Sequence, residues 1–513
     1  MSHPYLFAQS TPDKPAIIMA GSGETISYAQ LDARSNKVAQ LLRSLGFQSG
    51  DTVAVCLENR AEYFDIIWGA QRSGMICVAI SCRLTAPEID YILEDSGAQL
   101  LFTSEYLGET LDGLTSPAAR YLVGSKRAGW QSYEDAVADM PETPIADQRG
   151  GTDMLYSSGT TGKPKGIRLP LPSEEDIAAP NALAMIAAGA FGLTQDSVYL
   201  SPAPLYHAAP LRWCMSVHRL GGTVVVMEKF DPEAALVAIE KYKVTDSQWV
   251  PTHFVRMLKL PDDVRTRYDV STLKCAVHAA APCPVPIKEA MIDWWGPVVR
   301  EYYAGTEGNG FTFISAEDWL THKGSVGRPL NATIHICDEN GKEIPARQEG
   351  TIFFESTSQF TYHNDPAKTA ESRHPDNPTW SMLGDVGWVD EEGFLYLTDR
   401  KSFMIISGGV NIYPQEIENL LVSHPRVADA AVIGAPDDDM GERVVAVVQP
   451  LAMADAGEEL AEELKSYLRG SLSGVKMPRQ IDFREELPRH PTGKLYKRLL
   501  RDEYWGKTDS KIV

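Results

Sequence analysis

The chain has 513 residues and a net charge of −21, from 48 Lys and Arg against 69 Asp and Glu. Its 43% of apolar and 23% of charged residues are typical of a globular protein, and its length predicts about three structural units. The acidic balance disfavours a protein that scavenges nucleic acid or binds anionic lipid through a basic patch. It does not exclude anionic ligands, because local positive charge can override the overall sign.

Cysteine usage and the N-terminal sequence indicate the compartment. The seven cysteines are scattered and form no CxxC pair, which predicts a reducing compartment and no structural zinc site. The N-terminus has no basic start followed by an apolar run, so we expect no signal peptide. No stretch reaches about 18 uninterrupted apolar residues. We therefore expect a cytoplasmic protein that binds no nucleic acid and has no stable membrane insertion.

The first three hundred residues alternate short apolar runs with helical patterns. Residues 53–56 and 75–80 predict buried strands, and residues 61–72 have helix-like spacing between them. This alternation, over about 27–310, predicts layered α/β sheets that are largely parallel. Further strand candidates are 100–102, 121–123 and 221–227.

After about residue 324 the pattern changes to short strands separated by turn residues. Residues 334–337, 350–354 and 393–397 predict a small β-barrel-like part, or sheet, over about 324–398.

Beyond about residue 400 the chain predicts a compact α+β lobe. A helix begins at Pro414, where proline suits the first turn, and residues 458–472 form a charged amphipathic helix. Strands are expected at 427–433 and 443–449. The fold class is thus α/β and α+β, with domains at 1–400 and 401–513.

The segment 156–166, YSSGTTGKPKG, holds three glycines, two serines, two threonines and two lysines. Glycines permit close backbone approach, hydroxyl and N–H groups can surround phosphate oxygens, and lysines add charge. It is not a Walker A loop, because two residues rather than four separate Gly159 from Gly162. A solvated turn is the alternative. The expected phosphate-binding residues are Ser157, Ser158, Gly159, Thr160, Thr161, Gly162, Lys163 and Lys165.

SSGTTGKPKG closely resembles the phosphate loop of the AMP-forming adenylate enzymes, a superfamily of acyl-CoA synthetases, firefly luciferase and peptide-synthetase adenylation domains. Further motifs follow in that family's order up to residue 494, so the resemblance covers nearly the whole chain. It implies ATP, Mg²⁺, coenzyme A and a small-molecule carboxylic acid as ligands. It also implies that domain 1–400 binds ATP and the acyl group, whereas 401–513 is a mobile lobe. The oligomeric state is not settled by the sequence, and a homodimer stays open.

The motif YYAGTE at 302–307 resembles the family's YxxTE element. The resemblance implies that Tyr303 faces adenine, that Thr306 contacts the α-phosphate, and that Glu307 is the Mg²⁺ carboxylate; the last two are counted as catalytic. Mg²⁺ is a hard ion that prefers oxygen ligands.

The segment HAAAP at 278–282 resembles the family's small-residue segment beside the adenine and acyl sites. It departs from the commoner glycine-containing pattern. The resemblance places Ala280 and Ala281 against the nucleotide and Ala279 against the acid. A tightly packed strand end is the alternative.

Three resemblances lie near the predicted domain boundary. Gly384–Asp385 and Asp399–Arg400 resemble the ribose-binding pair, which implies that Asp385 accepts the ribose hydroxyls and Arg400 adds donors. Residues 400–418 resemble the hinge and the loop after it. That similarity implies a hinge at Ser402, where the family more often has Asp or Lys, and a pantetheine path lined by Gly408 and Gly409.

PTGK at 491–494 resembles the motif of the family's catalytic lysine, which implies that Lys494 is catalytic. The alternative is a surface lysine in a basic tail.

The acyl pocket is expected around His207, Trp213, Ala279, Gly305 and Gly310. Tyr206–His207 resembles the aromatic–His pair at the family's pocket entrance, although a structural histidine is the alternative. The nearby segments are apolar and rich in small residues, which favours a bulky apolar acid. Medium or long fatty acids, steroid side chains and aryl-propenoic acids such as ferulate remain open. Arg212 and Arg256 lie nearby in sequence, and the sequence leaves open whether each side chain faces the pocket.

The resemblance implies an AMP-forming acid–CoA ligase. A substrate carboxylate attacks the α-phosphate of ATP, pyrophosphate leaves, and the coenzyme A thiol then displaces AMP. A carrier-loading adenylation enzyme and a luciferase-like oxygenase share the first step and stay as alternatives. A non-catalytic nucleotide-binding module is disfavoured because Glu307 and Lys494 are both present.

Overall fold

The computed structural model describes most of the chain. For Ser157 and Arg400 it describes the backbone but not the side chain. The described residues are 2–116, 118–157, 164–172, 176–357, 360–400, 403–407, 410–437, 439–489 and 495–505.

The strands run in chain order as follows: β1 (Pro15–Met19), β2 (Thr25–Ser27), β3 (Thr52–Cys56), β4 (Ile76–Ala79), β5 (Leu100–Ser104), β6 (Ala119–Val123), β7 (Gln131–Ser132), β8 (Thr152–Ser157), β9 (Lys165–Arg168), β10 (Val198–Ser201), β11 (Thr223–Val226), β12 (Asp246–Trp249), β13 (Cys275–His278), β14 (Val299–Glu301), β15 (Thr312–Phe313), β16 (Ser325–Pro329), β17 (Thr333–Cys337), β18 (Gly350–Glu355), β19 (Thr361–Tyr362), β20 (Trp380–Val389), β21 (Leu395–Arg400), β22 (Ile405–Ser407), β23 (Val410–Ile412), β24 (Val427–Asp437), β25 (Gly441–Pro450) and β26 (Gln480–Phe483).

The α-helices are α1 (Pro4–Ser10), α2 (Tyr28–Ser44), α3 (Glu62–Arg72), α4 (Ala86–Ser96), α5 (Tyr133–Ala138), α6 (Ala182–Gly189), α7 (Ala208–Leu220), α8 (Pro232–Tyr242), α9 (Pro251–Leu258), α10 (Asp262–Arg265), α11 (Val285–Trp295), α12 (Ala316–Thr321), α13 (Pro366–Glu371), α14 (Pro414–Ser423), α15 (Glu458–Arg469) and α16 (Lys497–Trp505). Short 3₁₀ helices are Glu105–Gly113, Met453–Asp455 and Gly474–Lys476.

Two largely parallel sheets form the N-terminal part. One has the order β14-β13-β12-β10-β11-β1-β2, and the other has the order β19-β9-β8-β4-β3-β5-β6-β7. The predicted strands at 53–56 and 75–80 are β3 and β4, which pair in parallel with Val53 opposite Cys77, and the predicted helix between them is α3. Every residue of β3 and β4 is buried, because helices cover both faces of a parallel sheet. The layered α/β prediction is confirmed.

A third sheet is antiparallel and has the order β15-β16-β21-β20-β18-β17. The runs predicted at 334–337, 350–354 and 393–397 correspond to β17, β18 and the first half of β21. Its first strand, β15, precedes residue 324, so this sheet begins earlier in the chain than predicted.

The C-terminal lobe contains a sheet of five strands in the described residues, ordered β23-β22-β25-β24 with β26 beside β25. Pro414 occupies the first turn of α14, as predicted. Helix α15 buries Leu460, Leu464 and Leu468, which lie on one face at a spacing of four residues. This confirms the α+β prediction for the last part of the chain.

Among the described residues, hydrogen bonds join the C-terminal lobe to the N-terminal part. The Lys259 ammonium donates to the carbonyl of Val427, and the backbone N–H of Gln415 donates to Asp399 Oδ2 at 3.1 Å. Across the described ranges, every helix is too short or too polar to cross a bilayer.

Candidate active site

A cavity of roughly 2250 Å³ lies where the N-terminal sheets meet the C-terminal lobe. It gathers predicted residues that are distant in sequence, from the β8–β9 hairpin, from α7 and the residue before it, from the segments after β13 and β14, and from the third sheet. Those on its wall are Lys165, His207, Trp213, Ala279, Ala280, Ala281, Tyr303, Gly305, Thr306, Glu307, Gly310 and Asp385.

Other predicted site residues lie outside the described residues, namely Ser158, Gly159, Thr160, Thr161, Gly162, Lys163, Ser402, Gly408, Gly409 and Lys494. The backbone of Ser157 pairs with Lys165 across the β8–β9 hairpin, so the two ends of the phosphate loop lie side by side. The backbone of Arg400 pairs with Asp385 between β21 and β20. The predicted ribose pair is therefore adjacent in the third sheet.

Side chains from distant segments hold the phosphate-loop hairpin. The Lys165 ammonium lies 2.8 Å from Asp365 Oδ2, and this contact lowers the pKa of Asp365. Tyr156 donates its hydroxyl to Asp95 Oδ2 at 2.6 Å. Strand β19 adds an antiparallel edge beside β9. A Cβ at Gly166 would lie 3.0 Å from the Tyr156 ring, so glycine allows this close packing.

Tyr303 and Asp385, which the sequence predicts to bind the nucleotide, are joined at the cavity wall. Tyr303 follows β14 and packs against Phe354 with ring centroids 5.9 Å apart. Its hydroxyl donates to Asp385 Oδ2 at 2.5 Å, and Asp385 is 8% exposed. The carboxylate is thus held in one orientation at the cavity wall.

The Thr306–Glu307 segment is fixed from two sides. The Thr306 carbonyl accepts from the Arg212 guanidinium at 3.0 Å, and Glu307 Oε1 accepts from the Tyr362 hydroxyl at 2.9 Å. A Cβ at Gly305 would lie 2.7 Å from Glu307 Oε2 and 2.7 Å from Leu383, so the absence of a side chain makes room for the carboxylate. A carboxylate at the wall of this cavity suits Mg²⁺, which takes few protein ligands and completes its shell with phosphate and water.

Ala280 adopts an unusual backbone conformation. Its φ is +76°, in the left-handed region that glycine tolerates and other residues avoid. It follows Ala279, which is buried just beyond β13, and both line the cavity. This is the segment in which the sequence departs from the glycine-containing pattern, so alanine carries backbone strain here.

The residues predicted to form the acyl pocket lie in an aromatic and tightly packed part of the cavity wall. His207 precedes α7, and its ring lies 4.7 Å from that of Tyr206. Trp213 is 1% exposed and donates its indole N–H to the Tyr302 hydroxyl at 3.1 Å. A Cβ at Gly310 would lie 2.1 Å from the Phe354 ring. Packing against the third sheet therefore requires this glycine, whatever room it leaves for an acid.

Arg212 and Arg256, whose directions the sequence left open, have different contacts in the structure. Arg212 forms a two-pronged ion pair with Asp153, at 2.7 and 2.8 Å. Arg256 lies over the Phe230 ring, 4.9 Å from its centroid, and also lines the cavity.

A buried ion pair lies behind the Ala279–Ala281 segment. The Lys288 ammonium is 2.6 Å from Glu301 Oε2, and His278 lies 3.4 Å from the same oxygen. Burial raises the pKa of Glu301 and lowers that of His278, which keeps the imidazole neutral.

A second buried pair involves residues that are close in sequence to the predicted hinge and catalytic lysine. Lys497, just beyond the 491–494 motif, contacts Glu418 of α14 at 2.7 Å, and its ammonium is 5.1 Å from the centroid of the Phe403 ring. Burial raises the pKa of Glu418. The segment after the predicted hinge and the helix after the lysine motif therefore share one anchor.

The sequence analysis missed Asp153, Tyr362 and Asp365, and left the role of Arg212 open. These residues support predicted site residues from other strands and helices. Their partners are 55 to 200 positions away, and no local pattern signals such a pairing.

The family model of the AMP-binding enzyme matches residues 6–361, and that of the AMP-binding enzyme C-terminal domain matches residues 416–494. The chain belongs to the AMP-binding enzyme family. This AMP-binding enzyme is 31% identical to the fatty acid–acyl-carrier-protein ligase ScoC of Streptomyces coeruleorubidus, over 98% of its own length and 96% of the relative's. It is 32% identical to the feruloyl-CoA synthase of an Amycolatopsis species, over 98% of each chain.

A solved structure extends the comparison of this AMP-binding enzyme. The o-succinylbenzoate CoA synthetase (MenE) from Bacillus subtilis, in complex with the acyl-adenylate intermediate OSB-AMP, gives a TM-score of 0.82 at 28% identity, over 99% of each chain. The resemblance inferred from the motifs is confirmed. The enzyme is an AMP-forming ligase that joins a carboxylic acid to the thiol of coenzyme A or of a carrier protein. ATP, Mg²⁺ and coenzyme A are the ligands of this family's reaction.

Proposed function

We propose that this enzyme converts a bulky, apolar carboxylic acid into its coenzyme A thioester through an acyl-adenylate. The observation that supports the proposal is the shared cavity. In it, the Tyr303–Asp385 wall and the Thr306–Glu307 segment face the same space as the apolar acyl wall. A nucleotide and an acid bound there would meet at the α-phosphate.

In the adenylation step, the chain's residues bind and orient the reactants. The ring of Tyr303 faces adenine, Asp385 accepts the ribose hydroxyls, and the phosphate loop and Thr306 hold the phosphates. The acid's carboxylate oxygen bonds to the α-phosphorus while the bond to pyrophosphate breaks. Mg²⁺, held by Glu307, supplies charge neutralisation when bound. Positioning and charge screening dominate such phosphoryl chemistry.

In the thioester step, the thiol sulfur bonds to the acyl carbonyl carbon and AMP leaves with its electron pair. We place the domain boundary between residues 400 and 401, with a hinge at Ser402. Rotation about it withdraws Lys494 after adenylation and opens a path beside Gly408 and Gly409 for pantetheine. The shared anchor of Lys497, Glu418 and Phe403 supports movement of the lobe as one body.

The acid is proposed to be a medium or long fatty acid, a steroid side-chain acid or an aryl-propenoic acid. The cavity wall includes Leu183, Ala208, Leu211 and Met215, which are apolar. Residues 203–215 contain no acidic side chain that could bind a substrate amino group. The relatives include a fatty acid ligase and a feruloyl-CoA synthase, which agrees with this range.

Free coenzyme A is the proposed acceptor, and a carrier protein is the second candidate because ScoC is named for that acceptor. The deciding experiment measures pyrophosphate release with ATP, Mg²⁺ and a panel of acids, with and without coenzyme A. The panel contains short, medium and long fatty acids, ferulate-type acids, a bile acid and amino acids. The variant E307Q serves as the control for the nucleotide site.

Turnover that requires an apolar acid and rises with coenzyme A supports the proposal. Adenylation that coenzyme A does not change, with no thioester formed, favours the carrier-loading function. Oxygen consumption would favour an oxygenase. Absence of pyrophosphate release with every acid contradicts the proposal.

A further inference from the structure

Arg212 connects three segments that the adenylation step needs. It lies in α7, which begins just after His207 at the acyl entrance. Its partner Asp153 lies in β8, the strand that leads into the phosphate loop, and its second partner is the carbonyl of Thr306. One guanidinium therefore joins α7 to β8, the strand before the phosphate loop, and to Thr306, the residue predicted to contact the α-phosphate.

The geometry of these contacts is that of a rigid tie. Arg212 Nε lies 2.7 Å from Asp153 Oδ2, Nη2 lies 2.8 Å from Oδ1, and Nη1 donates to the Thr306 carbonyl at 3.0 Å. The side chains of Arg212 and Asp153 are 19% and 17% exposed. A planar guanidinium that bonds both carboxylate oxygens has little freedom to rotate, so its third donor has a fixed direction.

Stability alone does not account for such a pair. Removing two charges from water costs about as much free energy as their attraction returns, and apolar replacements are often equally stable. The contact to Thr306 adds a function, because the next residue is Glu307, whose Oε1 accepts from the Tyr362 hydroxyl. Arg212, through Asp153 of β8, and Tyr362 of β19 thus fix the same short segment relative to the two strands that flank β9.

We propose that Arg212 is a positioning residue for adenylation, which holds Thr306 and Glu307 in register with Asp153 of β8, the strand that leads into the phosphate loop. This inference rests on the proposed function. Loss of the guanidinium leaves the Thr306 carbonyl without that donor, and the segment shifts relative to the phosphates. The thioester step does not transfer phosphate and depends less on this register.

The test compares R212M and R212K with a matched control, R43M. Arg43 also joins an aspartate, Asp147, to backbone carbonyls of Phe47 and Ser73, and it does not line the cavity. For each variant, ATP–pyrophosphate exchange gives kcat and KM for ATP and acid, and a supplied acyl-adenylate gives the thioester rate. Active-site titration corrects each rate for the folded fraction, and D153N provides a second disruption of the same tie.

We expect R212M to lower the adenylation kcat about 100-fold, the size of effect that small misplacements cause, and to raise the Mg²⁺ concentration needed for half-maximal rate. The thioester rate stays within about threefold of the wild type. R212K has an adenylation kcat about tenfold higher than that of R212M, because lysine keeps the charge but lacks the forked donors of the guanidinium. D153N lowers the adenylation kcat less than R212M, and R43M changes only the unfolding midpoint.

An adenylation kcat of R212M within about threefold of the wild type overturns the inference. Equal loss in both half-reactions also overturns it, as does the same pattern in R43M. If R212M does not fold, R212K and D153N decide by the same criteria. A wild type without pyrophosphate release refutes the proposed function instead, so the two failures are distinguishable.

Discussion

The Tyr303 hydroxyl donates to Asp385 Oδ2 at 2.5 Å, and this bond joins the segment after β14 to β20. Tyr303 follows β14 of a parallel sheet, whereas Asp385 belongs to β20 of the antiparallel sheet. The carboxylate proposed to accept the ribose hydroxyls is thus oriented by the residue proposed to face adenine.

Y303F tests this relationship. The ring remains, but Asp385 loses a hydrogen bond of about 1.5–3 kcal/mol, so we expect the KM for ATP to rise about tenfold with kcat little changed. Initial rates at varied ATP measure it. Y396F is the control, because Tyr396 donates to Asp390 at 3.2 Å elsewhere in the same sheet. An unchanged KM in Y303F would show that the bond does not orient the ribose acceptor.

K494A tests the proposed role of the lysine. We expect adenylation to fall about 100- to 1000-fold, as when an enzyme loses a donor to developing negative charge. Thioester formation from supplied acyl-adenylate should be largely spared. K465A, which removes a lysine paired with Glu462 on α15, should leave both half-reactions unchanged. Equal loss of both half-reactions in K494A would contradict the two-orientation mechanism.

G305A tests the space beside Glu307. An added Cβ would lie 2.7 Å from Glu307 Oε2 and 2.7 Å from Leu383, so the carboxylate must move. We expect the adenylation kcat to fall about 100-fold, measured by pyrophosphate release across a Mg²⁺ titration. G189A is the control, because a Cβ at the end of α6 meets no atom within 4 Å. Full activity of G305A would show that the position of Glu307 is not critical.

A280G tests the strain at φ +76°. The left-handed conformation costs a non-glycine residue about 1–2 kcal/mol, which glycine would not lose. The greater freedom of glycine in the unfolded chain offsets about 0.5–1 kcal/mol of this stabilisation. We therefore expect A280G to raise the free energy of unfolding by about 0.5–1 kcal/mol in urea titrations. A281G, where φ is not positive, should lower it by a similar amount. A destabilised A280G would mean that the methyl group contributes more than the strain costs.

His218 should make the fold acid-sensitive. Its Nδ1 accepts from the Trp68 indole at 3.2 Å, its Nε2 lies 3.1 Å from the Ala16 carbonyl, and burial lowers its pKa to about 4. The unfolded chain takes up a proton near pH 6.5 and the folded chain does not, so the free energy of unfolding falls as pH falls from about 6.5 to 4.

This difference contributes a loss of about 2 kcal/mol at pH 5 relative to pH 7. H218Q should reduce the pH dependence by that amount in urea titrations at the two pH values. Y28F is the control, since it removes a hydroxyl that donates to the His218 carbonyl but leaves the imidazole in place. An identical pH dependence in wild type and H218Q would refute the assignment.

The sequence predicts well what is determined locally. Strands β3 and β4 are continuous buried runs, so their composition reveals them, and the motifs at 156–166 and 302–307 are contiguous. The two-residue strands β15 and β19 carry too little pattern to be predicted, although both shape the site.

Contacts across long separations explain the remaining gaps. Arg212 and Asp153 are 59 positions apart, and Tyr362 and Glu307 are 55 apart, so neither pair appears in any periodicity. For Gly310, the sequence suggested room for substrate, yet the Phe354 ring occupies the space of its Cβ. These contacts become visible only when the structure shows how the sheets pack against each other.

Strand β19 has a consequence for synthesis on the ribosome. It covers the outer edge of β9, and Lys165 and Asp365, which join the same two segments, are 200 positions apart. At about 5–20 residues per second, translation of that interval takes about 10–40 s. During this time the nascent chain presents an uncovered strand edge beside its phosphate loop, and such edges pair readily with other chains.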